Sequence, residues 1–362
     1  MSNKKSYIKV QPKGTLRYHT FNGDLAGCGF IRTIWPSILL HQWKYKNFRI
    51  HSTYGMHVIG DPSFYKGMAW VKFQRSAEDH QLEYIKDIAS KVKLATGTKL
   101  IYEVDDLLTP DIPKTNYAHE YYAHYWENVK NILRTVDAMT VSTEPLVNVY
   151  KPYCENITVL PNHLPKFIWG EEEWKNHENK KPRILYAGSA NHFNPEAPGG
   201  DFGPKLIKFI MDTVERFQWV FVGGIPFELQ PLCGHVIEYH PWQTITNLPT
   251  FLKSLKIDIG LAPLEDNLFN RCKSNIKMLE YSALGIPGIY SNVTPYRKAM
   301  YTCDVEEYMI DRIETLVYDV DLRKKVWETD KATVRDQLYW EDNDNLFKFV
   351  NKHLKLFGKE LA

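Results

Sequence analysis

Short apolar runs that stop on Gly, Pro, Asp or Asn alternate along this chain with segments whose apolar positions recur every three to four residues. That is the pattern of strands alternating with helices. Residues 7–10 and 17–21 read as short strands around the turn Pro12, Lys13, Gly14. A glycine-rich turn over 22–32 leads into an apolar segment that continues to Leu40, and residues 41–67 carry no assigned element. A strand follows at 68–73, then a helix at 76–93 with Leu82, Ile85, Ile88, Ala89 and Val92 on one face. The strand 100–104 closes on Asp105 and Asp106, the strand 138–141 precedes a helix that starts around Glu144 and Pro145, and 157–160 is the last strand of the first half.

The second half repeats the alternation after a charged linker over 171–181. Strands are expected at 183–189, 219–222, 236–239 and 257–262, and helices at 206–217 and 248–255. The stretch 261–291 (LAPLEDNLFNRCKSNIKMLEYSALGIPGIYS) reads as strand, loop, helix, tight turn and strand; helices at 294–300, 305–317, 322–338 and 345–357 complete the chain. Two βα alternations predict an α/β protein built from two Rossmann-like sheets facing a cleft. No internal repeat or low-complexity segment interrupts them.

Composition adds limits. With 362 residues the chain suits two domains. An apolar fraction of 44% and a charged fraction of 24% are those of a soluble globular protein. No run of eighteen apolar residues and no apolar stretch behind the N-terminal MSNKKSYIKV exist, so neither a membrane span nor a signal peptide is expected, and a cytoplasmic protein is. Five scattered cysteines without ligand spacing read as reduced thiols and no structural zinc. The net charge of +2 conceals an asymmetry: residues 1–100 carry 16 Lys and Arg against 6 Asp and Glu, a net of +10. Such a segment suits an anionic partner, or is a basic but inert surface.

The densest candidate chemistry lies in 261–291. Ser274 is a good N-cap, Ile276, Leu279 and Ala283 mark one helix side, and Gly285 with Pro287 ends the helix. Lys273, Lys277 and Glu280, spaced i, i+4, i+7, would project together near the helix start. A helix N-terminus flanked by lysines binds anions, and the Glu one turn on accepts from hydroxyls beside the anion; the alternative is an ordinary crossover with solvated lysines. In the first half, Gly27 and Gly29 let backbone approach a ligand, but GxGxxG spacing and a Walker lysine are both missing. Asp105 and Asp106 close a strand where open α/β sheets place their sites, as a base, a divalent-metal pair or a loop-fixing pair. The aromatic segment 117–134 suits packing or base stacking, and its His119 and His124 lack helical metal spacing.

The motif K-S-x-x-K-x-L-E-Y-x-A-x-G-x-P, preceded by P-L-x-D-N-x-F-N, resembles the donor site of GT-B glycosyltransferases related to the large retaining group. The resemblance implies that Lys273, Ser274, Asn275 and Lys277 meet the diphosphate of a nucleotide-sugar, that Glu280 binds its ribose, and that Asn270 belongs to the same donor site. It also implies that Arg32, in the loop with Gly27 and Gly29, is a phosphate partner. Y-x-G-S-x-x-H would place Gly188, Ser189 and His192 beside the donor, with Tyr239 and Trp242 at the base. The family often has a Glu eight residues before the ribose-binding one; here that place is Cys272. The implied domains are an acceptor domain at 1–165, a donor domain at 166–340, and a C-terminal helix at 341–362 that returns to the first.

Electrostatics from the helix and lysines would serve without a required cofactor, so no metal site is expected, although a divalent ion is compatible. The co-substrate would be a nucleoside-diphosphate sugar, UDP being the leading base. An inverting reaction needs a general base, with Asp24, Asp105 and Asp106 as candidates; a retaining one does not. The basic first hundred residues and compact length resemble bacteriophage glycosyltransferases, some of which glycosylate hydroxymethylcytosine in DNA. That implies duplex DNA as acceptor, a host-cytoplasmic location and a monomer or weak oligomer. Saccharide transfer in surface-polysaccharide synthesis, a non-catalytic binding protein on the same scaffold, and a sugar-nucleotide 2-epimerase are the alternatives.

Overall fold

The computed structural model describes residues 7–10, 13–41, 43–57, 59–193 and 200–361. Pro12 of the expected first turn, and residues 194–199 of the loop after His192, lie outside them. The chain divides into two compact units. The first comprises Met1–Thr109, Tyr122–Asn162 and Trp340–Ala362; the second comprises Pro110–Tyr121 and His163–Tyr339. The segment 110–121, expected with the first half, therefore goes with the second.

Strands of the first unit are β1 (Ile8–Val10), β2 (Lys13–Phe21), β3 (Lys44–Tyr45), β4 (Asn47–Gly55), β5 (Trp70–Gln74), β6 (Lys99–Val104), β7 (Ala138–Val141) and β8 (Ile157–Val159). The main sheet runs β3-β4-β2-β5-β6-β7-β8 and is parallel except for β3. The expected hairpin of β1 and β2 does not form, because β2 pairs in parallel with β4 and β5. Both β3 and β4 lie in the stretch that had no assignment, since Arg49, His51 and Tyr54 interrupt any apolar run there. Tyr18, Ile50, Trp70 and Ile101 form the core with Trp340, Phe349, Val350 and Leu354. The last four belong to the C-terminal segment, whose helix Asn345–Leu356 is amphipathic and buries that face.

The second unit contains β9 (Arg183–Gly188), β10 (Gln218–Gly223), β11 (Glu238–His240), β12 (Ile259–Ala262), β13 (Gly288–Ser291) and β14 (Thr302–Cys303) in one parallel sheet ordered β11-β10-β9-β12-β13-β14. The last strand, β15 (Lys359–Leu361), pairs in parallel with β1 in the first unit. Helix Pro204–Asp212 is shorter than expected and the region 294–300 forms only the 3-10 turn Thr294–Tyr296. Among the described residues, no helix is long and apolar enough to cross a membrane.

A buried acid gives this unit a pH response. In helix Val320–Leu338, Asp330 is 2% exposed; one oxygen accepts Met300 N–H at 2.8 Å, and the other has no hydrogen-bond partner among the described residues. Burial pushes its carboxyl up to about 7, against a partial lowering by the Met300 N–H. The native state thus keeps a proton that the unfolded chain has released, and stability falls as pH rises from about 4 to about 7. Asp330→Asn, which keeps an acceptor for Met300, is expected to be more stable at pH 8 by about 4 kcal/mol and to lose that dependence. Urea midpoints of both proteins at pH 5 and pH 8 check it; parallel pH profiles would contradict it.

Candidate functional site

In the second unit the strand order reverses direction between β9 and β12. Open α/β sheets bind ligands outside the carboxyl ends of such strands, and the donor-type residues gather there. From the end of β9, the turn Ala190–His192 carries His192, whose Nδ1 lies 2.6 Å from Asp201 Oδ2 and whose Nε2 lies 3.2 Å from Lys273 Nζ. An ammonium only donates, so Nε2 accepts and Nδ1–H donates to Asp201. Burial raises the Asp201 carboxyl, but His192, Lys273 and the Glu265 N–H outweigh it and hold the acid below its usual value. The other Asp201 oxygen accepts Glu265 N–H at 3.0 Å and Asn270 Nδ2 at 2.7 Å. Asp201, unremarked in the sequence, is the hub of this cluster. Beside it, a polar cavity of about 10 Å³ is lined by His192, Asp201, Asn270 and Asn116, room for about one water. Asn270 Oδ1 is buried without a hydrogen-bond partner among the described residues.

The motif helix is Ile276–Leu284, one residue later than an N-cap at Ser274 predicts. A separate short helix, Leu268–Cys272, comes first and Lys273 is its C-cap, so Lys273 does not share the motif helix with Lys277 and Glu280. Ser274 is not the cap; Asn275 holds that position without a side-chain capping bond. The amide of Asn275 instead exchanges two hydrogen bonds with Gln337, at 3.2 and 2.9 Å, which takes it away from the phosphate role. Lys277 and Glu280 do meet: Nζ lies 2.5 Å from Oε2, and the Glu280 side chain is 4% exposed. Lys277 also sits 5.9 Å above the Trp242 ring.

Gly188 and Gly223 serve packing. A Cβ on Gly188 would stand 2.5 Å from the Tyr186 hydroxyl, so the space beside this glycine is taken by Tyr186. Gly223, at φ +94°, would bring a Cβ to 2.3 Å from Gly188 O and 2.5 Å from the Trp242 ring. Backbone and indole therefore approach closely where the two strands end. Tyr239 donates to Gly223 O at 3.0 Å, and both Tyr239 and Trp242 keep 40% of their surface exposed. Ser189 is half-buried, and its hydroxyl makes no hydrogen bond among the described residues.

The first unit has its own reversal, between β2 and β5. Asp24, at the end of β2, accepts N–H groups of Ala26 and Gly29 through Oδ1, each at 2.8 Å. Gly29 is required by that turn, since a Cβ would meet Asp24 O at 1.9 Å, whereas a Cβ on Gly27 would meet nothing within 4 Å. Arg75, at φ +53° directly after β5, stands among three carboxylates: 3.5 Å from Asp105, 3.5 Å from Asp106 and 3.9 Å from Asp24. Ligand atoms of Cys28, Asp105 and Asp106 lie within 4.8 Å of one another, so the set has metal-like spacing. The guanidinium already supplies a fixed positive charge there. Burial pushes the Cys28 thiol up, and Asp105 adds to the rise, so the thiol stays protonated. Arg75 falls between the strand read at 68–73 and the helix read at 76–93, and its role needs the fold.

Arg32 is not a phosphate partner. It is 4% exposed, with Nε and Nη2 on Glu103 Oε1 at 2.9 and 2.7 Å and Nη1 on Leu160 O and Asn162 Oδ1 at 2.5 and 2.7 Å. Lys72 Nζ lies 3.4 Å from the second Glu103 oxygen, which also accepts the Thr140 hydroxyl. The expectation failed because the apolar segment after the glycine turn is a buried helix, and Arg32 lies inside it.

No protein-family model matches the chain, and no curated protein matches it in sequence. Solved structures do. An alpha-glucosyltransferase in complex with UDP-glucose and DNA containing an abasic site has a TM-score of 0.60 at 12% identity, over 94% of this chain and 100% of its own. An alpha-glucosyltransferase with UDP and a 13-mer DNA containing an HMU base gives 0.61 at 11%, with the same coverage. A UDP-forming alpha,alpha-trehalose-phosphate synthase from Burkholderia xenovorans gives 0.53 at 12%, over 82% of this chain and 75% of that one. These likenesses establish the fold: α/β, with two Rossmann-like parallel sheets, of the GT-B type.

Proposed function

We propose that the protein is a glycosyltransferase that moves a sugar from a UDP-sugar to a hydroxyl of 5-hydroxymethylcytosine in duplex DNA. The observation that carries the transferase reading is the Lys277–Glu280 pair, held 2.5 Å apart on the first turns of Ile276–Leu284 beside the ends of parallel strands. In the reaction, the bond from the anomeric carbon to the diphosphate oxygen breaks and a bond to the acceptor oxygen forms. Lys277, Lys273 and helix N–H groups stabilise charge growing on the diphosphate. Glu280 accepts from ribose hydroxyls, Tyr239 and Trp242 flank the base, and Ser189 offers a further donor. The acceptor proton passes to the leaving diphosphate if configuration is retained. Otherwise Asp105 or Asp106 receives it; Asp24 has one oxygen engaged in its own turn. Arg75 would position the two other carboxylates.

Support for a DNA acceptor comes from the net charge of +10 over residues 1–100 and from the DNA in two of the similar structures. Incubation with UDP-glucose and hydroxymethylcytosine DNA, followed by nucleoside mass spectrometry, should show a hexose mass gain with release of UDP. No gain on DNA, with UDP released only when saccharide acceptors are present, would replace this acceptor by a saccharide. No UDP release with any acceptor or donor would remove the transferase reading.

A further inference from the structure

Residues 1–60 contain nine Lys and Arg and one acid, Asp24, and the fold collects part of this excess at one sheet edge. There β4 pairs with β2 on one side and with two-residue β3 on the other. Antiparallel register sets Lys44 of β3 directly opposite Arg49 of β4. Parallel register sets Arg49 beside Thr15 and His51 beside Arg17. The period of two turns Phe48, Ile50 and Ser52 into the core and leaves Arg49 and His51 exposed with Lys44. His41 packs edge-on against His51 at 5.0 Å between ring centres. Among the described residues, neither Lys44 nor Arg49 forms an ion pair.

Like charges directly opposite on an antiparallel pair repel and weaken it, so sheet stability gives no reason for Lys44 to face Arg49. A polyanion laid over the edge does. On the same face of β4 the row continues through half-buried Thr53 to Gly55, and exposed Met56 and His57 follow the strand. At about 3.3 Å per residue, Arg49 stands roughly 20 Å from Gly55, and Gly55 O accepts the N–H of Asn22 in the loop that carries Asp24. We infer that this edge is a docking track for the backbone phosphates of duplex DNA flanking the acceptor base, an inference that rests on the proposed DNA acceptor. Contacts of this kind set position and contribute no sequence preference.

The test is fluorescence anisotropy of a labelled duplex across a salt series, with wild type and Lys44→Gln/Arg49→Gln. Loss of two phosphate contacts should lower the slope of log K against log salt by about 1.8 and weaken binding most at low salt. Acceptor-free UDP-sugar hydrolysis, read on both proteins, should not differ, since neither residue is in the donor cluster. Equal slopes and affinities overturn the track and leave the DNA acceptor standing. Failure of wild type to bind DNA at low salt overturns both. Unchanged DNA binding together with lost sedimentation on anionic phosphatidylglycerol vesicles overturns the track in favour of a lipid surface.

Discussion

Lys277→Ala is expected to lower UDP-sugar turnover by about 10²- to 10³-fold, the usual cost of removing one preorganised group that meets charge developing in a transition state. The geometry gives the variant a second consequence. Glu280 is 3% exposed and has Lys277 Nζ 2.5 Å away, so the alanine protein keeps a buried carboxylate without its ion-pair partner. Both donor affinity and fold stability should therefore fall. Lys277→Arg keeps the charge but cannot reproduce the short contact to Glu280 in the same space, and an intermediate rate is expected. UDP release measured by chromatography, with UDP affinity by calorimetry, separates the effects. A turnover within threefold of wild type, in a protein that still binds UDP, would take Lys277 out of the donor site.

That Lys277 and Glu280 are recognisable in the sequence at all follows from helix periodicity. Two polar residues three apart stand on one face whatever the surrounding fold does. Lys273 was placed on the same face by the same logic and is not, because Asn267 caps an extra helical turn, Leu268–Cys272, that breaks the register. Strands buried on both sides, such as β9, β10 and β12, were legible as apolar runs ending on glycine or proline. Strand β4, next to the two-residue edge strand β3, was not, since a half-exposed strand with Arg49 and His51 on its outer face has no such run. Asp201 and Arg75 could not be found from spacing, because their partners stand at no helical or strand interval from them and most lie far away in sequence. Asp201 joins His192 of the turn after β9 to Asn270 of the short helix after β12, and Arg75 joins carboxylates at the ends of β2 and β6. Only the strand order brings these ends together. The rule that ligands meet at a switch point would have named the right loops once that order was known.

The buried Arg32–Glu103–Lys72 group leads to the largest expected loss of stability. Glu103 is fully buried and bonds both cations, which are themselves almost fully buried. Glu103→Leu removes their shared counter-charge and leaves two uncompensated cations in the first unit, at a cost of about 3–5 kcal/mol. Lys72 makes the cost pH-dependent. Burial already pushes its ammonium down to about 8, with Glu103 acting in the opposite direction. The unfolded chain holds that proton until well above pH 8, so wild-type stability rises with pH between about 8 and 10.5. Without Glu103 the ammonium is weaker still, and the rise should begin at lower pH. Replacing the whole group, as Arg32→Met/Lys72→Met/Glu103→Leu, removes the buried charges and should regain most of the loss, because an apolar set of similar volume needs no compensation. Urea midpoints by circular dichroism, from pH 6 to pH 10, give all three comparisons. A Glu103→Leu cost below about 1 kcal/mol would mean that water reaches these cations, and Arg32 would again be open to a ligand.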